Sequence, residues 1–136
     1  MKIKLPKLVK NENSKIWNDK ARRALYGERQ AARHLKKQGY RVLKTRFWTP
    51  YGEIDIVAQK GNNLAFVEVK TRSSSKYGDP LTAITQQKFT RLQRATAIFL
   101  QQWPRLPKDY AIEYLGVGVR LYDSPHPIDM VRIFFD

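Results

Sequence analysis

The chain contains no cysteine, which excludes thiol nucleophiles, disulfide scaffolds and cysteine-ligated zinc fingers and permits a reducing compartment. Acids are scarce as well. Only 12 Asp and Glu stand against 26 Lys and Arg, giving a formal net charge of +14 over 136 residues. The two histidines, His34 and His126, are separated in sequence from the acidic motifs and from each other, and neither is read as a metal ligand. No apolar run approaches the roughly 20 residues of a membrane span, and no signal-peptide core follows the basic N-terminus. The expectation is a soluble, cytoplasmic protein that uses no membrane. What the chain does have is a hydrophobic fraction of 42% with three Trp, seven Tyr and six Phe, enough for one core without disulfides or a structural metal. Its length suits one domain and is too short for two ordinary ones.

The distribution of charge is more informative than its total. Residues 1 to 50 carry 15 Lys or Arg against three acids, a net +12, whereas residues 51 to 136 carry 11 against nine, a net +2. A basic block of this kind attracts polyanions and makes their binding salt-dependent through counterion release. Nucleic acid is therefore the expected partner, DNA foremost, with an anionic membrane surface the other polyanion that charge alone permits.

Residues 1 to 14 mix Lys with Pro and Asn without periodicity and read as a flexible basic arm; residues 15 to 136 form the single domain. Residues 17 to 38 place Ala21, Leu25, Ala32 and Leu35 at helical spacing before a stop at Gly39. Residues 40 to 43 read as a strand, 45 to 51 as an aromatic loop, 53 to 59 as a second strand, and 64 to 71 as a third after turn residues 60 to 63. A polar loop over 72 to 78 leads to Asp79-Pro80, a helix-starting pair, with the second helix running to about residue 102. Two further strands, 110 to 120 and 128 to 135, close the chain. The fold class is α/β, in the order αβββαββ.

Strand geometry then brings charged residues together. In Leu64 to Lys70, alternate residues Leu64, Phe66, Glu68 and Lys70 share one face and Ala65, Val67 and Val69 the other. Both faces are largely apolar, which belongs to a central strand with Glu68 and Lys70 at its C-terminal end. In the preceding strand Glu53 and Asp55 are expected on one face opposite Ile54 and Ile56, so that a hairpin lets Asp55 and Glu68 converge. On the first helix Glu28 falls on the stripe Ala21, Leu25, Ala32, Leu35, and on the second Lys88 falls on the stripe Ile84, Leu92, Ala95, Phe99. A carboxylate facing a core costs several kcal/mol on the order-of-magnitude desolvation scale unless paired, protonated or near a cation. The simplest arrangement gathers Glu28, Asp55, Glu68, Lys70 and Lys88 around one cleft. The plainer alternatives are an edge-strand ion pair for Glu68 and Lys70, and a local ion pair of Glu28 with Arg22 or Arg29.

Three carboxylates beside a lysine suit phosphodiester hydrolysis. Mg2+, or Mn2+, prefers oxygen ligands and is commonly held by one or two carboxylates with waters and substrate phosphate. Asp55 and Glu68 supply such ligands, Glu28 completes the shell, and Lys70 orients a water and stabilises developing charge. Phe47, Trp48 and Tyr51 suit either base stacking or core closure. Arg46, Trp48, Arg72 and Lys88 are the candidate nucleic-acid contacts.

The segments Tyr26-Gly-Glu28, Tyr51 to Ala58 (Tyr-Gly-Glu-Ile-Asp-Ile-Val-Ala) and Phe66 to Arg72 (Phe-Val-Glu-Val-Lys-Thr-Arg), followed by Gly78-Asp-Pro80 and Lys88, resemble the bacterial YraN or UPF0102 family. That family is similar to archaeal Holliday-junction resolvases, a branch of the PD-(D/E)XK nucleases. The resemblance covers about residues 22 to 119 and implies a restriction-endonuclease-like core, αβββαβ, a mixed sheet flanked by helices with an added C-terminal strand. Glu28, Asp55, Glu68 and Lys70 match the nuclease positions. An Asn and an Arg are common in the segment before Gly52 in the family, whereas this chain has Arg46 and Trp48, and Ala111-Ile-Glu113 replaces an Arg-Phe-Asp. The implied activity is a metal-dependent endonuclease on DNA, branched or junction DNA included, and junction cutting implies a homodimer. The alternatives are a non-catalytic nucleic-acid-binding module or a scaffold in a DNA-repair or RNA-processing complex.

Overall fold

The computed structural model describes residues 19 to 134. The expected arm over residues 1 to 14, the domain boundary at 15 and the helix start at Trp17 lie outside the described residues. Helix α1 (Lys20–Lys37) begins where the Asp19 carboxylate accepts the amide of Ala21 at 3.0 Å, an N-cap that satisfies one of the first-turn donors. It stops at Gly39, whose φ of +94° suits glycine. Its apolar ridge differs from the expected stripe. The buried residues are Gly27, Ala31 and Leu35, with Gln30 beside them, while Ala21 is exposed and Glu28 lies on the flank. Gly27 explains the rotation: a Cβ there would lie 1.9 Å from Thr71 Oγ1, so the glycine lets the helix backbone rest directly on the sheet.

Strands β1 (Arg41–Thr49), β2 (Gly52–Lys60) and β3 (Asn63–Arg72) form the expected antiparallel meander. β4 (Ala111–Arg120) pairs parallel with β3, and β5 (Ile128–Arg132) lies antiparallel on β4. The five-stranded sheet thus has the order β1-β2-β3-β4-β5, with β3 in the middle. β3 is buried on both faces because Ala65, Val67 and Val69 pack with Ala31 and Leu35 of α1, while Leu64 and Phe66 pack with Leu92, Ala95 and Phe99 of the second helix. This is the arrangement of a restriction-endonuclease-like core, with β5 as the added strand.

Three elements depart from the sequence reading. The aromatic segment expected as a loop is strand: β1 continues to Thr49, anchored by Phe47, whose ring meets Phe99 edge-on at 5.2 Å. A register shift between Val42 and Lys44 and a positive φ of 52° at Arg46 break the alternation that would have revealed it. The second helix does not start at Asp79-Pro80. Asp79 instead caps a 3-10 turn (Pro80–Ala83), the chain extends at Ile84, and helix α2 (Gln86–Gln102) starts anew behind the N-cap Thr85. Packing enforces the interruption, since Leu81 and Ile84 seat against Gly116 of β4, where an added Cβ would meet the Ile84 side chain at 2.8 Å. Finally, β5 ends at Arg132, and Phe135 lies outside the described residues.

No helix among the described residues is long and apolar enough to cross a membrane.

Candidate functional site

The site forms where β2 and β3 part. Their pairing ends at Ile56↔Val67, and beyond it the Val69 amide has no partner on β2; the Asp55 carboxylate takes it instead, Oδ2 accepting at 2.8 Å. Asp55 is free to do so because β2 loses its alternation there. Ile54 packs on the α2 side and Ile56 on the α1 side, so the expectation that both oppose Asp55 on one face is corrected. The twist falls opposite Arg46, between the pairs Thr45↔Ile56 and Phe47↔Ile54, at the residue of β1 with positive φ.

A cleft of about 360 Å³ opens at this point, and its walls include Glu28 from α1, Asp55 from β2, Glu68, Lys70 and Arg72 from β3, and Lys88 from α2. The five charged residues expected to converge do converge. Lys70 Nζ lies 3.1 Å from Glu68 Oε1, both partly shielded from solvent in the middle of the sheet rather than on an edge strand. Glu28 pairs with neither Arg22 nor Arg29 but with Arg46, whose Nε donates to Oε2 at 2.9 Å. Arg46 therefore reaches the site through a carboxylate.

The electrostatics centre on Asp55. Burial, reinforced by the Glu68 carboxylate and, more weakly, by that of Glu28, pushes its carboxyl up to about 7, against the Val69 amide and Lys70, which favour the charged form. Burial and the neighbouring Lys70 charge pull the Lys88 ammonium below its ordinary value. A carboxyl and an ammonium both perturbed in this way within one cleft mark it as a candidate functional site. The oxygen-only donor set of Asp55 and Glu68 fits a hard divalent cation that retains most of its waters. It does not form a closed cage, since among the described residues no three His, Asp or Glu side chains stand together in metal-ligand geometry.

Of the other candidates, Arg72 lines the cleft, and its Nε is buried with no hydrogen-bond partner among the described residues. Trp48 lies outside that cleft, 70% exposed beside the β1–β2 turn. His34 and His126 do not line it. Sequence reasoning missed Lys20 and Arg23, which join the wall from the first turns of α1. Lys20, Ala24 and Glu28 recur every four residues, a signal that extending the Glu28 stripe backwards would have caught. A second cavity of about 210 Å³ shares Glu68, Lys70 and Lys88 with the first and extends past Arg91 to Tyr51 and Gly52.

Comparison with known proteins gives one consistent result. The family described as "Uncharacterised protein family UPF0102" matches residues 27–131. A UPF0102 protein of Syntrophomonas wolfei is 40% identical over 95 residues, 70% of this chain and 83% of the relative. One of Alkaliphilus metalliredigens is 42% identical over 103 residues, 76% and 90% of the two chains, and one of Syntrophus aciditrophicus 41% over 110, 81% and 85%.

Proposed function

The chain belongs to the UPF0102 family, and we propose that it is a metal-dependent endonuclease of the PD-(D/E)XK type, hydrolysing phosphodiester bonds in DNA in the cytoplasm. The observation that carries the reading is the convergence of Asp55, Glu68 and Lys70, from two strands of the central sheet, on one cleft that also receives Glu28 and Lys88. Asp55 and Glu68 would hold Mg2+ or Mn2+, with Glu28 completing the shell when it leaves Arg46. A cation bound there would supply an acidified water and neutralise charge on the phosphate. The chain's own residues do the remainder. Lys70, held 3.1 Å from Glu68, positions the attacking water and donates to the phosphate oxygen on which charge develops. Lys88 adds a second positive charge on the other wall. Arg72, which also lines the cleft, adds a further positive charge beside the phosphate. Cutting of a four-way junction would require two such sites, hence a homodimer.

A second reading, a non-catalytic nucleic-acid-binding module, is favoured by the ion pairs Glu28–Arg46 and Glu68–Lys70, which occupy the carboxylates with internal cations. Docking as a scaffold on a repair or RNA-processing complex would require no affinity for nucleic acid. The test is cleavage of labelled linear, flap and four-way-junction DNA and of a structured RNA, with Mg2+, Mn2+ or EDTA, comparing wild type with Glu68→Ala. Metal-dependent cutting, lost in the variant, is the expected result. Tight binding without cutting under any metal would transfer the assignment to the binding module.

A further inference from the structure

The second cavity has a feature that phosphodiester hydrolysis does not use. At its far end stands Tyr51, 44% exposed, in the turn between β1 and β2. That turn is fixed from below by Thr49, which is almost fully buried: its hydroxyl donates to the Gly52 carbonyl at 2.7 Å and accepts the Tyr51 amide at 3.1 Å. An aromatic ring carried on a pinned turn loses little entropy when it engages a partner. Over one face of the ring lies the Arg94 guanidinium, 5.7 Å from the centroid, which leaves the opposite face for a partner. Between Tyr51 and the acidic cleft the wall is Arg91 and then Lys88, one helical turn apart on α2. Phe47, from the same aromatic run, is committed to the core against Phe99; Tyr51 is not.

We propose that Tyr51, with Arg91 and Arg94, forms a stacking subsite for an unpaired base of the nucleic acid next to the acidic cleft. The inference rests on the nucleic-acid reading of that cleft and specifies the substrate class. Lys88 and Arg91 follow the sugar-phosphate backbone from Lys70 outwards, and Tyr51 receives a base on the ring face opposite Arg94, which backs the ring from behind. A base within a duplex has no free face to offer. The substrate is therefore a strand with unpaired nucleotides adjoining the phosphate held at Lys70 and Lys88, as in a single strand, a flap or an opened branch point.

The experiment is binding of the full chain to a fluorescein-labelled oligothymidylate and to a duplex of equal length, in EDTA so that no strand is cut. The wild type is expected to prefer the single strand. Tyr51→Ala should weaken single-strand binding on the order of tenfold, the usual scale for removing one stacking aromatic, and leave duplex binding within about twofold. Tyr51→Phe should retain the preference. If Tyr51→Ala fails to fold, the wild type and an oligonucleotide with consecutive abasic positions provide the same test, with a loss of similar size expected. Equal loss on both ligands, no loss on either, or a change of molar mass in Tyr51→Ala that marks the ring as a contact between two copies would overturn the proposal. The hydrolytic reading fails separately: single-strand binding weakened in Tyr51→Ala, with no cutting by the wild type under Mg2+, sustains the subsite and removes the nuclease, and Mg2+-dependent cutting by the wild type with single-strand binding unchanged in Tyr51→Ala does the reverse.

Discussion

Asp55 is held in a place that costs the fold free energy. Its carboxyl is pushed up to about 7, far above the 3.8 of a free side chain, mainly by burial and secondarily by Glu68. A carboxyl whose folded value is raised binds its proton more tightly in the native than in the unfolded state. Its stabilising contribution is thus complete below about pH 4 and is lost as pH rises through about 7. Two outcomes follow at this scale. The metal-free protein should gain thermal stability as pH falls from about 8 towards 6.5, a trend visible in scanning calorimetry; below that range His34, its value lowered chiefly by burial, costs stability on protonation. Asp55→Asn keeps an acceptor for the Val69 amide and removes the charge, so it should flatten that trend and stabilise the metal-free protein at pH 8 by about 1 kcal/mol or more. A lower melting temperature for Asp55→Asn would show that the carboxylate is a structural partner. Lys70→Ala should abolish cutting while circular dichroism and most nucleic-acid binding stay unchanged; loss of folding would show that Lys70 and Glu68 are a structural ion pair.

At the scale of elements, one close contact sets the cleft. Gly27 brings α1 onto Thr71 of β3, and Glu28 follows it to the cleft mouth. Gly27→Ala gains up to about 1 kcal/mol of helix propensity but drives a methyl into Thr71, and overpacking of this kind costs about 1–3 kcal/mol. The net expectation is destabilisation in urea unfolding, relieved when Thr71→Ala is combined with it; additive losses in the double variant would contradict the contact. The elements also show what a sequence can and cannot reveal. The meander, the central place of β3 and the faces of Leu64 to Lys70 were legible because periodicity there is unbroken and both layers are apolar. Asp55 was assigned to the right cleft for an incomplete reason, since the twist that turns it towards Val69 lies opposite the positive-φ residue Arg46 of another strand, a pairing that β2's own sequence does not carry. The start of α2 was misread because Asp79-Pro80 has valid cap chemistry for a shorter turn; what interrupts the helix is the surface of β4 at Gly116, thirty-two residues downstream of Ile84. Lys88 was read rightly as inward-facing although Ile84, the residue that began its stripe, is not in the helix.

For the whole molecule, the uneven charge matters most. Residues 1 to 14 hold Lys2, Lys4, Lys7 and Lys10, and we expect them to meet phosphates of the bound strand. Each phosphate neutralised on duplex DNA contributes about 0.9 to the salt slope of binding, so deleting residues 1 to 14 should lower that slope by about 2–4. An unchanged slope would mean that these lysines make no phosphate contact. The cleft itself adds Lys20, Arg23, Arg72 and Lys88 around three carboxylates, the polarity that the proposed function requires of a site for a polyanion with a cation at its centre. The most direct measurement of that central claim is a Mn2+ titration of the full chain, with free Mn2+ followed by electron paramagnetic resonance, on wild type, Asp55→Asn and Glu68→Gln. Saturable Mn2+ binding in the wild type that is lost in both variants is the predicted result; no binding, or binding that survives both substitutions, would contradict it.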